Sequence, residues 1–294
     1  MRIGTSRLNQ ISPCPVCENR LFRKLFSKKG RDFWKCGSCG FEMQFPLPSL
    51  EKLKEYYDES YVTGMYKTFV EAREMKRLTA QRRIKEILPY SRRGRWLDVG
   101  CSDGVFVETA REKGIDCEGI DFSEKAVAGA RELGRPVLCG TVEDYRPDYH
   151  YDSVTGFDVV EHVIDPIGFL MAIHRLLVPG GRVCLSAPNQ GSMICKIMGK
   201  RWYFYIPEEH LQYFNPSTLG RLLSGTGFEV VQCARTLKPL TMVYSLSQFK
   251  EYNPSIYFLL KVLVKALPRR LVEYSVPLYI GEMMVIAERR DGGN

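Results

Sequence analysis

Three features of the 294-residue chain predict an α/β protein: a parallel sheet covered on both faces, preceded by a small metal-holding ribbon. Strand-like and helix-like segments alternate from Arg95 to Ser186. A Gly-rich turn, Gly100–Gly104, follows the first of those strands. Two Cys-x-x-Cys pairs, Cys14-Pro-Val-Cys17 and Cys36-Gly-Ser-Cys39, lie ahead of it.

The cysteine pairs come first in the chain. A tetrahedral zinc ion needs four soft ligands, and a two-residue gap lets both thiolates of a tight turn reach one ion. Cys14, Cys17, Cys36 and Cys39 are therefore the expected metal ligands. The segment between the pairs reads as strands with a turn at Lys29-Gly30, and Gly37 and Gly40 suit the second knuckle. The zinc is expected to be structural, because four thiolates leave no position for water. The other six cysteines, Cys101, Cys117, Cys139, Cys184, Cys195 and Cys233, fall in apolar strand or loop settings and read mostly as small packed hydrophobes.

Ser49 can cap a short helix, Leu50–Tyr57, and a longer polar helix runs from about Lys67 to Leu88, ending at Pro89. Strands are then expected at Arg95–Val99, Asp116–Ile120, Pro136–Cys139, Tyr151–Phe157 and Arg182–Ser186. Helices are expected from Val105 to Lys113, after a cap at Ser123, and from Asp165-Pro166 to Leu177. Val178-Pro-Gly-Gly181 reads as a turn. Gly227–Ala234 and Gly281–Glu288 read as the last two strands, with a helical insertion at about 240–278 between them. The chain thus divides into a ribbon (1–45), a helical linker or lid (46–92) and a main domain (93–290).

The net charge of +8 is concentrated at the front, where residues 1–95 hold 21 Lys or Arg against 10 Asp or Glu. Such a face suits an anionic partner (a nucleic acid, a phosphorylated substrate, a lipid head group) or is simply a solvated basic helix. No apolar run has transmembrane length, and the N-terminal residues carry no apolar signal segment, so the expected location is cytoplasmic. In the insertion, Ile256, Leu259, Leu260, Leu263, Val264 and Leu267 recur at helical spacing, flanked by Lys261, Lys265, Arg269 and Arg270. That face is expected to meet the core, a subunit partner, or a membrane surface to which the protein is peripheral.

In an open parallel sheet, ligands bind at the carboxyl ends of strands near the topological switch. The first such end is Trp96-Leu-Asp-Val-Gly-Cys-Ser-Asp-Gly104. Ser102 stands where a pyrophosphate-binding turn would place its second glycine, which argues against a dinucleotide. Asp98 at the strand end suits a cationic group, and Asp121, at the end of the next strand, can accept from both ribose hydroxyls.

These residues resemble the class I S-adenosylmethionine-dependent methyltransferases from about Trp96 to Ala187. The family's first motif is matched by Leu97–Gly104, its ribose acid by Asp121, its third motif by Gly140–Asp144, its fourth strand and the loop after it by Phe157–Val163, and its later turn by Leu177–Arg182. The resemblance implies a Rossmann-like seven-stranded sheet with one antiparallel strand, and a methyl donor held by Asp98, Gly100, Cys101, Gly104, Asp121, Phe122, Val142, Glu143 and Phe157. By the same resemblance Val142 supplies a backbone contact, and Glu143 or Asp144 faces the adenine amine.

Methyl transfer is an in-line displacement; the protein aligns an acceptor and removes its proton. Asp158, Glu161 and His162 are spaced to share one face of a helical turn. His162 can then be a general base, the three can hold a divalent cation, or Glu161 and His162 can brace the next helix. The ubiquinone-biosynthesis O-methyltransferases have a similar Glu-His step, with Glu where this chain has Asp158. A second cluster, Trp202-Tyr-Phe-Tyr205 followed by Pro207-Glu-Glu-His210 and Tyr213-Phe214, resembles a subgroup associated with cell-surface sugar and glycolipid assembly. His210 is thus a second candidate base, and the aromatics are a sugar platform or a lid; His150 and His174 have no partners that suggest chemistry. The expected activity is O-methylation of a small-molecule, sugar or glycolipid hydroxyl. The alternatives are C-methylation of a nucleotide-linked sugar, RNA methylation with the ribbon gripping phosphates, and a silent binding module.

Overall fold

The computed structural model describes residues 12–63, 73–92, 94–207, 209–240, 274–290 and parts of 257–268. The start of the helix expected from Lys67, Glu208 and most of the 240–278 insertion lie outside the described residues.

Two sheets organise the chain. The larger has seven strands in the order β10-β11-β8-β7-β4-β5-β6. Its members are β4 (Arg95–Val99), β5 (Asp116–Asp121), β6 (Val137–Cys139), β7 (Tyr151–Phe157), β8 (Leu177–Pro188), β10 (Phe228–Leu240) and β11 (Val276–Arg289). Strands β4 to β8 run parallel, while β11 is antiparallel to both β8 and β10. This is the Rossmann-like sheet expected from the sequence.

Local chemistry explains the helices. Ahead of the main sheet come α1 (Leu50–Thr63) and α2 (Arg73–Ile87), and α3 (Val105–Glu112) follows β4. Ser123 caps α4 (Glu124–Glu132). Asp165 caps α5 (Pro166–Leu176), accepting from the amides of Ile167 and Gly168, with Pro166 at the first turn. Ser192 caps the short α6 (Met193–Met198), and Asn215 and Thr218 form a reciprocal cap on α7 (Pro216–Gly225). The apolar stripe of α5 and that of α7 cover one face of the sheet. The other face is covered by α2, α3 and α4.

The turn expected at Val178–Gly181 differs. Val178–Gly181 does not end in a separate turn; it is an excursion within β8, whose pairing with β7 jumps from Tyr151↔Leu177 to Ser153↔Arg182. Pro179 cannot donate to the ladder, and Gly180 takes a positive φ of 68°, so the chain bulges and then resumes its register.

The smaller sheet is β1 (Phe22–Lys28), β2 (Arg31–Cys36), β3 (Glu42–Phe45) and β9 (Gln212–Tyr213). Lys29 and Gly30, at φ 47° and 78°, make the tight β1–β2 turn. The four cysteine sulfurs converge: Cys14 and Cys39 Sγ are 3.6 Å apart, Cys17 and Cys36 Sγ 3.5 Å, and all lie within 4.8 Å of one another. A tetrahedral zinc with bonds of about 2.3 Å needs sulfurs about 3.8 Å apart, so the set fits that ion. The two knuckles are built alike, each followed by a left-handed residue, Glu18 or Gly40. The ribbon is not separate from the main sheet. Its Cys14, Trp34, Phe41 and Met43 join the same core as β7, β8 and α5, and its sheet is completed by β9, far along the chain.

Cys101, Cys117, Cys184 and Cys195 are buried, as packed hydrophobes should be, whereas Cys139 and Cys233 are exposed. Gly119, in β5, lies against Cys101: a Cβ there would meet its sulfur at 2.5 Å. Gly129, inside α4, faces open space. Gly119→Ala is therefore expected to destabilise the fold by about 1–3 kcal/mol. Gly129→Ala is expected to stabilise it by about 0.5–1 kcal/mol. Urea unfolding midpoints check both signs.

Candidate active site

The sheet reverses its order between β4 and β7, so the loops after these strands border the crevice where such folds bind ligands. After β4 the chain turns through Gly100, Ser102 and Gly104, all at positive φ, and enters α3. Gly100 N donates to Ile120 O at 2.8 Å, which ties the turn to β5. A Cβ on Gly100 would meet Val159 at 2.5 Å, so the turn can carry nothing larger there. The Cys101 side chain points back against Gly119, leaving its main chain on the turn.

Asp98 is buried and accepts from Thr155 Oγ1 at 2.6 Å. Burial pushes its pKa up to about 7, against the pull of that hydrogen bond and of Arg83. Asp121 closes the next strand end; one carboxylate oxygen accepts from Ser102 N and the other from Ser123 N. Each keeps acceptor capacity for a further donor. Phe122, beside it, meets Tyr57 of α1 edge to face. Val142 is buried in the main core, Glu143 is half-buried with a pKa raised by burial, and Asp144 is exposed and accepts from Thr141. The Phe157 ring packs on Phe106, with the Arg83 guanidinium 4.6 Å from its centre.

The loop after β7 departs from the expected helical turn. Asp158 adopts φ 58°, which breaks the helical spacing and sends its carboxylate away from Glu161 and His162. It is held instead by Arg83 (2.6 Å), Lys238 (3.1 Å) and Ser186 (2.7 Å). Burial raises its pKa, but the two cations prevail and hold it well below the usual carboxylate range. Asp158 therefore does not join Glu161 and His162 as the sequence expected, because its carboxylate is already ion-paired with Arg83 and Lys238. Ligand atoms of Glu161, His162 and His210 lie within 4.8 Å of one another.

Glu161 is 1% exposed, and neither carboxylate oxygen has a hydrogen-bond partner among the described residues. Burial, and then Asp158, drive its pKa well up. His162 Nδ1 lies 3.0 Å from the Glu209 carbonyl and 2.6 Å from the Tyr57 hydroxyl. His210 Nδ1 lies 2.8 Å from the Phe204 carbonyl. A carbonyl can only accept, so both rings carry their proton on Nδ1 and present Nε2 as an acceptor. The rings meet edge to face, 4.7 Å between centres, with His162 Nε2 4.0 Å from Glu161 Oε1. Burial lowers the His162 pKa to about 4 and the His210 pKa well below normal, keeping both neutral.

Sequence reasoning missed several members of this region. Tyr57 reaches His162 from α1. Lys238 bridges Asp158 and the buried Glu282, linking β10 and β11 to the crevice. No sequence signal marked Lys238, which lies beyond the strand expected at Gly227–Ala234; the observed β10 continues to Leu240 and carries it to the crevice. His150 is exposed, and His174 packs on Phe228. Arg83 and Lys238 are committed to Asp158 and Glu282, which leaves Asp98 and Asp121 at the two strand ends without an ion-pair partner among the described residues. The donor set therefore fits a cationic ligand.

A Rossmann-like sheet whose Gly-rich turn opens on an acidic crevice is the arrangement expected of enzymes that use a sulfonium methyl donor. Comparison with known proteins agrees. Residues 71–233 match the family model described as a methyltransferase domain. The ubiquinone biosynthesis O-methyltransferase of Nitrosospira multiformis is 32% identical over 172 residues, covering 53% of this chain and 72% of that protein. That of Thiobacillus denitrificans is 33% identical over 172 residues, covering 53% and 74%. The fold is shared with magnesium protoporphyrin IX methyltransferase from Synechocystis, solved with bound S-adenosylhomocysteine: TM-score 0.51, 15% identity, 82% of this chain and 100% of that one. The chain belongs to the S-adenosylmethionine-dependent methyltransferases. Among the described residues, no helix is long and apolar enough to cross a membrane.

The surroundings of Asp98 make a direct prediction. In the cofactor-free protein its carboxyl carbon should titrate at about 7 by NMR. Thr155→Val, which removes a hydrogen bond to the ionised form, should move that midpoint higher. A wild-type midpoint at the ordinary value of about 3.9 would contradict the role given to burial.

Proposed function

We propose that the protein transfers the methyl group of S-adenosylmethionine to a hydroxyl oxygen of a small molecule, sugar or glycolipid, with the His162–His210 pair activating the acceptor. The observation that carries this reading is the two neutral imidazoles that present Nε2 beside Glu161. The O-methyltransferase names of the relatives support the oxygen acceptor.

Asp98 would meet the methionine ammonium, the Gly100–Gly104 main chain would line the methionine portion, and Asp121 would accept from the ribose hydroxyls. Phe122, Val142 and Glu143 would border the adenine, and Phe157 would close the floor. The bound donor supplies a methyl group on a positively charged sulfur. The chain's acidic crevice stabilises that charge and aligns the acceptor oxygen behind the methyl carbon. As the O–CH₃ bond forms, the S–CH₃ bond breaks and its electron pair stays on sulfur. The hydroxyl proton passes to an imidazole Nε2. The Glu209 carbonyl, which can only accept, favours the His162 tautomer this requires, and Tyr57 then accepts from the same Nδ1–H.

A second reading rests on Glu161. A buried carboxylate with two unpartnered oxygens, next to two Nε2 acceptors, is also a ligand set for a divalent cation that would lower the acceptor's pKa. Separately, Cys14, Cys17, Cys36 and Cys39 would hold one structural zinc.

Labelled S-adenosylmethionine incubated with nucleotide sugars, lipid extract and RNA should deliver label to a hydroxyl of one of the first two pools. Labelled RNA, or label on carbon, would overturn the acceptor assignment. His162→Ala or His210→Ala should lower turnover by about 10²- to 10⁴-fold without weakening donor binding. Full turnover in both would reject the base and the cation alike. Acid protonates the base and removes activity, and since His162 is lowered to about 4, kcat/KM should persist well below pH 6.5 and fall near 4. Chelator sensitivity at the Glu161 cluster, retained in a protein whose cysteine-bound zinc is intact, would select the cation reading. Metal analysis should find one zinc per chain, lost in Cys14→Ser or Cys36→Ser.

A further inference from the structure

Gln44 has no role in the activity described so far, yet it is a fully buried polar side chain on the ribbon's third strand, 1% exposed. Its Nε2 donates to the His210 carbonyl at 2.7 Å, and its main-chain amide donates to the next carbonyl, Leu211 O, at 2.9 Å. One residue thus grips two successive carbonyls of the segment that carries His210.

The ribbon supports the preceding turn as well. Tyr205 donates from its hydroxyl to Glu42 at 2.6 Å, accepts from Lys28 Nζ through its carbonyl at 2.7 Å, and packs on Phe26 and Phe33. That turn also presents the Phe204 carbonyl that holds the His210 ring. On the opposite side, Leu211 N and Gln212 N both donate to Glu161 O, at 2.8 and 3.1 Å. The His210 segment is therefore clamped between β3 of the ribbon and the loop that carries Glu161 and His162. The Gly100–Gly104 turn, in contrast, hangs from β5.

We propose that Gln44 is a positioning residue for His210, and that the metal-holding ribbon serves as the template that sets the His162–His210 pair, independently of donor binding. Buried His210 O is satisfied by a neutral donor that only an ordered ribbon can deliver. Order in the ribbon depends in turn on the four sulfurs being joined by an ion. The catalytic part of this inference rests on the reading of His210 as an acceptor-activating group; the positioning part does not.

The test uses the full chain labelled with ¹⁵N-histidine, in which the signals of the four rings are assigned by single His→Gln variants. In wild type the His210 Nδ1 proton should exchange slowly, because it is buried and bonded to Phe204 O. In Gln44→Met, which keeps the volume and removes the donor, that proton should exchange faster and the ring nitrogens should shift. Calorimetric affinity for S-adenosylmethionine should not change. Methyl transfer to the pooled nucleotide sugars and lipid extract should fall about 10- to 100-fold in kcat with KM unaltered. Tyr205→Phe, a milder change that removes the hydroxyl's bond to Glu42 and its contact with Cys195 Sγ, should move the same His210 signal in the same direction. So should removal of the cysteine-bound metal from wild type. An unchanged His210 signal in Gln44→Met would overturn the proposal, and an unchanged signal after metal removal would overturn its metal half. A shifted signal with undiminished turnover would uphold the positioning and reject His210 as an acceptor-activating group.

Discussion

The main-chain carbonyl of Glu161 is the joint on which the site depends. It accepts from Leu211 N and Gln212 N, so the loop after β7 and the segment before β9 are held as one unit. His162 and His210 lie far apart in the chain and on different elements; this joint, with the His162–Glu209 carbonyl contact and the Gln212 Nε2 bonds to Val163 O and Ile164 O, brings them together. With it, the two rings meet at 4.7 Å, and the Glu161 side chain is trapped beside them with no hydrogen-bond partner among the described residues. An uncompensated buried carboxyl of this kind lowers stability, and it persists where the surrounding structure over-determines it. Here that structure is the main sheet on one side and the ribbon on the other.

The crevice follows a consistent electrostatic plan. Acidic groups cluster at the carboxyl ends of β4, β5 and β7 and at the facing part of β11, and the available cations are committed to Asp158 and Glu282. Asp98 and Glu282 are consequently pushed up to about 7 by burial. A positively charged donor relieves this imbalance when it binds. A dinucleotide pyrophosphate would aggravate it, which is the same discrimination that Ser102 makes at the level of the turn.

The range of each interaction decides how much of the fold and site was legible in the sequence. The strand–turn–helix unit Arg95–Glu112 and the strand end at Asp121 are local, and their residues stand where the chain pattern put them. The four cysteines were legible because ligand spacing within each knuckle is local too. Asp158 was misplaced because its neighbours Arg83 and Lys238 lie 75 and 80 residues away, and they, with a left-handed backbone, draw it out of the helical register. Glu161 and His162 were visible as a pair, and His210 as an isolated candidate. Their convergence depends on the pairing of β3 with β9, which no periodicity announces. The same pairing makes the ribbon part of the site rather than an appendage.

The central claim is that the donor's methyl group is delivered to an acceptor at the Glu161–His162–His210 cluster. A crystal structure with S-adenosylhomocysteine bound tests it most directly. The ribose should lie on Asp121, and the sulfur should be no more than about 8 Å from an Nε2 of His162 or His210, the span of a methyl, an acceptor oxygen and one hydrogen bond. A sulfur that faces away from the cluster, or an adenosine seated elsewhere than at Asp121, would contradict it.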